Sequence, residues 1–331
     1  MNYYIESSDT DPRRNLALEQ FVFDSLDRGH HYFMLWQNHN AVIVGKHQNT
    51  RSEINAAFVN ERNISVVRRL SGGGAVYHDL GNLNFTFITD AEKTGGVDFA
   101  AFCEPVQKAL RSLGVPVEIA GRNDMTVEGK KFSGNAQYLK QGRIMHHGTI
   151  LYDSDLSVLS QALNVTEDKI ESKGIKSVRS RVTNIRPYMQ SDMPIGGFRA
   201  ALKQYMFEAF HLKEYRLSPE ENSAVEELRE QVYAQWNWNY GTSPAYNVRK
   251  TRRIEGCGKF EILMDVEKEG IIKNITFYGD FFGSGDPAEL AAMLAGHHLE
   301  YTELKNALQE IEVSRCFHNL GAEEFLSLLL E

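Results

Sequence analysis

The chain has 331 residues, 42% of them hydrophobic and 24% charged, a globular composition that excludes disorder, collagen-like repetition and coiled coil. Its 36 Lys and Arg against 44 Asp and Glu leave a formal net charge of −8, the wrong sign for coating a nucleic-acid backbone. A small anion is still possible, because a few cations in one pocket suffice. Cys103, Cys257 and Cys316 are too few and too scattered for a disulfide framework or a cysteine zinc site. With no signal-like N-terminus and no run approaching the roughly 18 apolar residues of a membrane span, the expectation is a cytoplasmic protein without nucleic-acid or membrane partners.

Asp11-Pro12 reads as a helix start, a capping carboxylate followed by a proline suited to the first turn, with Leu18, Phe21, Val22 and Leu26 recurring at helical spacing. Phe33–Trp36 and Ala41–Val44 read as strands of a hairpin around the polar stretch 37–40. Ile64–Val67 and Leu83–Ile88 are further strands, and Phe99, Phe102, Cys103, Val106, Leu110 and Leu113 make an amphipathic helix. Val115–Ile119, Met125–Val127, Lys131–Tyr138 and Arg143–Leu151 follow as strands with glycine-containing turns. Ser218-Pro219-Glu220-Glu221 has the form of a capping box opening a helix towards Trp236. Gly241–Pro244, with the basic run Arg249–Arg253 beside it, is the predicted linker. A hairpin around 267–270 and helices at Ala288–Leu294 and Tyr301–Leu308 complete the chain. The fold class is α+β: a mixed domain over 1–246 and a small α+β domain over 247–331.

The strongest local signal is RRLSGGGAVYHDLGN, residues 68–82. Three glycines after a β-branched strand let backbone amides approach an anion, and Arg68 and Arg69 add bidentate donors. The Gly-Lys-[Ser/Thr] ending of a Walker A loop is missing, and Ala75-Val76-Tyr77 reads as a returning strand. In RNDMTVEGKKFSGNAQ, residues 122–137, Asn123-Asp124 offers oxygens for a magnesium ion. Lys130 and Lys131 are strand neighbours, so at most one of them faces an interior site. His146 and His147 likewise point to opposite faces.

These segments, with HHGTILYDSDLS (146–157) and KGIKSVRSRVTNI (173–185) in the same order, resemble the lipoate–protein ligase A family. The likeness runs from about Asp11 to Asn184 and resumes around Trp236–Tyr246. The resemblance implies a mixed-sheet catalytic domain of the biotin/lipoate ligase type with a C-terminal accessory domain. It also implies an ATP-dependent ligase for lipoate salvage: lipoate becomes lipoyl-AMP with release of pyrophosphate, and the lipoyl group then passes to a lysine of an acceptor domain. The implied acceptors are lipoyl domains of 2-oxoacid dehydrogenase acyltransferase subunits and the glycine-cleavage H protein.

By the same resemblance, Lys131 is the catalytic lysine and touches both ATP and lipoate. Arg69, Gly74, Ala75, Val76 and Tyr77 belong to the ATP site, with Arg69 also near lipoate. Ser71 and His147 line the carboxylate end of lipoate, Trp36 walls its apolar tunnel, and Asp124 is the candidate Mg2+ ligand. Two other readings remain at this level: an octanoyl- or lipoyl-transferase with a cysteine nucleophile, and a serine hydrolase using Ser71 or Ser133 with His78 or His147 and Asp79 or Asp124. The cysteines lie far from the motifs in the chain, and neither serine has the Gly-x-Ser-x-Gly framing.

Overall fold

A computed structural model describes residues 1–91, 98–121, 123–164, 182–241, 246–267 and 270–330. They pack as two compact units. The first comprises Met1–Val44, Thr50–Leu70 and Ala75–Asn239, and the second Gly45–Asn49, Ser71–Gly74 and Tyr240–Glu331.

In the first unit, Asp11 accepts a hydrogen bond from the Arg13 amide and caps α1 (Pro12–Ser25) as expected. The main sheet has eight strands among the described residues: β1 (Asn2–Glu6), β2 (His31–Trp36), β6 (Asn82–Asp90), β7 (Glu118–Ala120), β8 (Asp124–Val127), β9 (Lys130–Lys140), β10 (Arg143–Leu151) and β11 (Lys213–Glu214). Their order is β11-β1-β2-β6-β10-β9-β8-β7, parallel at β11-β1-β2 and antiparallel beyond. A smaller sheet pairs β3 (Ala41–Val44) parallel to β4 (Ser65–Arg68) and antiparallel to β5 (Val76–His78).

The expected hairpin between Phe33–Trp36 and Ala41–Val44 does not form, because β2 joins the large sheet and β3 the small one. Both runs are apolar on both faces and almost wholly buried, so each requires cover on two sides rather than one solvated face. The stretch between them crosses from one sheet to the other, with Asn38 buried and Asn40 at φ 45°.

Helix α2 (Phe99–Ser112), capped by Asp98, buries Cys103, Val106 and Leu110 beside Phe85, Met125 and Phe132 of the sheet, and Phe102 beside Ile144. The Ser218 capping box is present on α3 (Pro219–Leu228). That helix ends before Trp236: a π-helical turn spans Arg229–Tyr233, and a short helix covers Trp236–Tyr240.

In the second unit, β12 (Val248–Ile254), β13 (Gly258–Val266) and β14 (Ile272–Gly279) form an antiparallel sheet covered by Pro287–Leu294, Tyr301–Ala307 and Ala322–Leu330. Arg249–Arg253 is strand rather than linker. It lies in β12 at the sheet edge, where Arg249 Nε meets Glu261 Oε1 at 2.7 Å. Alternation on a solvated edge strand accounts for so many cations in one run. Of the predicted linker, Thr242–Pro244 lies outside the described residues. The same unit holds two short segments from far upstream. The Gly279 amide donates to the His47 carbonyl at 2.8 Å, the His47 ring stacks on Phe281, and the Lys46 amide donates to the Ser71 carbonyl.

Candidate active site

The two arginines leaving β4 have different fates. Arg68 is anchored within the first unit: its Nε donates to the Trp238 carbonyl at 2.9 Å and its Nη2 to Thr50 Oγ1 at 2.6 Å. The Trp238 indole N–H donates to the Arg68 carbonyl and Asn239 Oδ1 accepts from the Arg68 amide, so the Trp236–Tyr240 helix holds this strand in place. Arg68 is therefore structural, whereas the sequence suggested a ligand donor. Arg69 turns the other way and is buried. Burial pulls its pKa down to about 10, against the opposing charge of Glu19.

Glu19 is the residue that the motifs did not reveal. It lies on α1, 1% exposed, and faces the middle of the main sheet. Its Oε1 accepts from Thr86 Oγ1 at 2.5 Å and lies 3.1 Å from His147 Nδ1. Thr86 in turn accepts from the Trp36 indole N–H at 2.9 Å. Thr86 and His147 are register partners on β6 and β10, so the chain Trp36–Thr86–Glu19–His147 crosses three strands beneath α1. The available signal was a carboxylate within the apolar stripe of an amphipathic helix, where an ion needs a partner.

His146, one residue away, faces the opposite side. It stacks on Phe102, hydrogen-bonds Gln137 and Asn135, and has its pKa held well below the usual histidine range by burial and by His147.

The β8–β9 connection is a two-residue turn with Glu128 at φ 50° and Gly129 at φ 72°, the pattern that matches strand twist in a tight hairpin. Lys130 is exposed. Lys131 reaches back over Gly134 to Asp124, Nζ to Oδ1 2.7 Å, with the two side chains 38% and 31% exposed. A Cβ at Gly134 would stand 3.0 Å from Nζ, so the glycine clears the path of the ammonium. The Lys131 carbonyl accepts from the Thr183 amide at 2.9 Å, which ties the end of the KGIKSVRSRVTNI motif to this strand. Lys173–Arg181 of that motif lies outside the described residues.

His147 sits opposite Ala136, five residues along β9 from Lys131. The lysine side chain runs along the strand, however, so that Nζ lies beside Gly134, two residues from Ala136. At roughly 3.3 Å per residue the ammonium is about 7 Å along the strand from the position facing His147, and the two groups belong to one stretch of the site.

In the second unit the glycine-rich loop sets distinct demands at each glycine. A Cβ on Gly72 would stand 2.2 Å from the Phe281 carbonyl oxygen, and Gly73 has φ 88°. At Gly74 a Cβ would meet nothing within 4 Å among the described residues. Gly72→Ala is therefore expected to lower the melting temperature by several degrees, equivalent to about 1–3 kcal/mol, as overpacking does. Gly74→Val should leave melting unchanged, so any loss of ATP affinity by calorimetry would report on the ligand. In the first unit, Val76 pairs with Ile43, and Tyr77 is buried with its hydroxyl donating to Asn40 Oδ1.

All three cysteines are buried. Burial, with Asp124 and Asp98 nearby, pushes the Cys103 thiol up to about 12, and burial pushes Cys316 up to about 11. Such thiols are poor nucleophiles, which argues against the cysteine-transferase alternative. Ser133 is buried and its Oγ accepts from Asn135 Nδ2. Among the described residues no group of three His, Cys, Asp or Glu side chains is placed to hold a metal, and no helix is long and apolar enough to cross a membrane.

The chain is similar to known proteins along its whole length. Residues 11–207 match a family described as the lipoyl protein ligase A/B catalytic domain, and 243–329 match the bacterial lipoate protein ligase C-terminus. Lipoate-protein ligase LplJ of Bacillus subtilis is 42% identical over 96% of this chain and 97% of its own length. Lipoate–protein ligase 1 of Staphylococcus aureus is 40% identical over 99% and 100%.

Among solved structures, LipL1 of P. falciparum in complex with lipoate superposes with a TM-score of 0.80 over 100% of this chain and 98% of its own, at 22% identity, and so speaks for the fold. A bipartite lipoate protein ligase from Thermoplasma acidophilum, described with its E2 lipoyl domain, gives 0.63 at 28% identity over 75% and 99%. Lipoate-protein ligase A bound with ATP gives 0.61 at 26% identity over 73% and 99%. The expected fold, a mixed-sheet domain with a C-terminal accessory domain, is borne out, and this enzyme belongs to the lipoate–protein ligase family.

Proposed function

We propose that this ligase adenylates lipoate with ATP and transfers the lipoyl group to a lysine of an acceptor lipoyl domain, with Lys131 as the catalytic group. The observation that carries the assignment is the pairing of Lys131 with Asp124 on β8 and β9, with the ammonium beside Gly134 and the buried Trp36–Thr86–Glu19–His147 chain reached two residues further along β9. A carboxylate at the ammonium leaves the acyl chain and its terminal ring to extend towards Trp36.

Two anions must meet for adenylation. An ammonium between the carboxylate and the α-phosphate offsets their repulsion and stabilises the charge that develops at phosphorus. Asp124 keeps the ammonium aimed before substrate arrives. Arg69 contributes a fixed positive charge, and the amides of the Ser71–Gly74 loop with Ala75, Val76 and Tyr77 hold the nucleotide. Gly74, where no neighbour requires a bare Cα, is the glycine that serves a ligand.

Asp124, whose Oδ1 pairs with Lys131, would hold Mg2+ through its other carboxylate oxygen, with waters and substrate phosphate oxygens as the remaining ligands, and the ion would supply neutralising charge to the phosphates. Acyltransferase lipoyl domains and the glycine-cleavage H protein are the proposed acceptors, and the use of ATP suits a cytoplasmic location.

The deciding experiment measures pyrophosphate release from ATP and Mg2+ with and without lipoate, followed by the mass of an added lipoyl domain. Lipoate-dependent pyrophosphate and an acylated lysine are expected. Acylation without pyrophosphate would return the chain to the transferases.

A further inference from the structure

His78, on β5 in the first unit, is 3% exposed, and its Nε2 has no hydrogen-bond partner among the described residues. Its Nδ1 lies 3.1 Å from Asn38 Nδ2. A buried imidazole nitrogen without a partner is costly, and it sits in a polar chain whose direction can be read end to end.

Asn15 Nδ2 faces two backbone carbonyls, Asp9 O at 3.0 Å and Gln37 O at 2.8 Å, so it is fixed as the donor end of that amide. Asn15 Oδ1 accepts from Ser7 Oγ at 2.5 Å. Asn38 Oδ1 is a third acceptor 2.9 Å from Asn15 Nδ2, whose two protons are shared among the three; a second NH2 could not face that nitrogen, which leaves Asn38 Nδ2 as the donor towards His78. Nδ1 of His78 must therefore accept, and the ring proton sits on Nε2. Burial, Arg69 and His147 hold the His78 pKa down to about 3, so the ring is neutral at physiological pH.

The nearest ring to His78 is the one already assigned to the tail of the substrate: Trp36 stands edge-on with ring centroids 6.1 Å apart. Lys131 is engaged elsewhere, with Asp124.

We propose that His78 presents an Nε2–H donor to the dithiolane sulfurs of lipoate, that Asn38 is the positioning residue that sets this tautomer, and that the pair makes the site prefer lipoate over a plain eight-carbon acid. The proposal rests on the ligase reading above. Sulfur is a weak acceptor, but octanoate offers none, and an apolar tail covering an unpaired donor forfeits its hydration without replacement. Because the contact is remote from the reacting carboxylate, the preference should fall on KM more than on kcat.

The test uses the full-length protein and pyrophosphate release with lipoate or octanoate. The wild type should favour lipoate in kcat/KM by about tenfold, the scale of one buried hydrogen bond. His78→Phe should bring the ratio near one, and Asn38→Leu should lower it severalfold. His78→Gln, which returns an N–H near the Nε2 position, should recover part of it. Nitrogen-15 NMR of the histidine-labelled wild type, with His78→Gln to assign the signal, should show the Nε2–H tautomer, so the proposal stays testable if the Phe variant fails to fold.

An Nδ1–H tautomer, equal use of both acids by the wild type, or an unchanged ratio in the Phe and Leu variants would overturn the proposal while leaving the ligase reading intact. Pyrophosphate release with neither acid would overturn that reading, and the proposal with it.

Discussion

Lys131→Ala is expected to slow lipoyl-AMP formation by roughly 10²–10⁴, several kcal/mol of barrier, because it deletes the charge between two anions. Lys130→Ala, on the exposed face of the same strand, should change the rate by less than about twofold, as surface substitutions usually do. The loss should appear in kcat at saturating ATP and lipoate, since a bridging charge matters most where new charge develops. Pyrophosphate release, with melting curves to confirm folding, makes the comparison. An alanine variant retaining most of its adenylation rate would remove Lys131 from the chemistry. The Lys131–Asp124 pair itself should contribute little to stability, because a pair this exposed is screened by solvent.

The second large effect concerns stability. Glu19→Gln keeps the shape of the side chain but removes the buried charge that opposes the desolvation of Arg69. Leaving a buried guanidinium without that counter-charge should cost about 3–5 kcal/mol. Arg69→Met should be similarly damaging for the complementary reason. The double variant is expected to lose less than the sum, since neither ion then remains uncompensated. Urea unfolding of the four proteins closes the cycle. A Glu19→Gln loss below about 1 kcal/mol, the scale of an exposed pair, would mean that Arg69 finds its compensation elsewhere.

Much of the site was legible wherever one residue type had one physical use. The Asp11 and Ser218 caps and the strand alternation separating Lys130 from Lys131 and His146 from His147 all follow from local backbone geometry. The motifs supplied the family. What stayed hidden was non-local. Glu19, Asn38 and Thr86 belong to ordinary helix, loop and strand text, and they matter only because separate segments bring them beside His147, His78 and Trp36. The false hairpin at 33–44 has the same origin. Two short apolar runs with a polar gap look alike whether the chain turns back or crosses to another sheet. Arg68 was misread because a guanidinium offered to an anion and one bonded to the Trp238 carbonyl have the same sequence signature.

The two segments that the C-terminal unit draws from upstream bear on how the chain could be divided. Gly45–Asn49 and Ser71–Gly74 are encoded inside the catalytic portion, yet they fold against Gly279 and Phe281. A gene ending at codon 239 would still specify both segments while omitting the strand end that shapes them. Neither portion is thus a cassette to be exchanged between proteins at the boundary of the chain text. A split version would work by fragment complementation, the glycine loop acquiring its form only when the second polypeptide supplies β14.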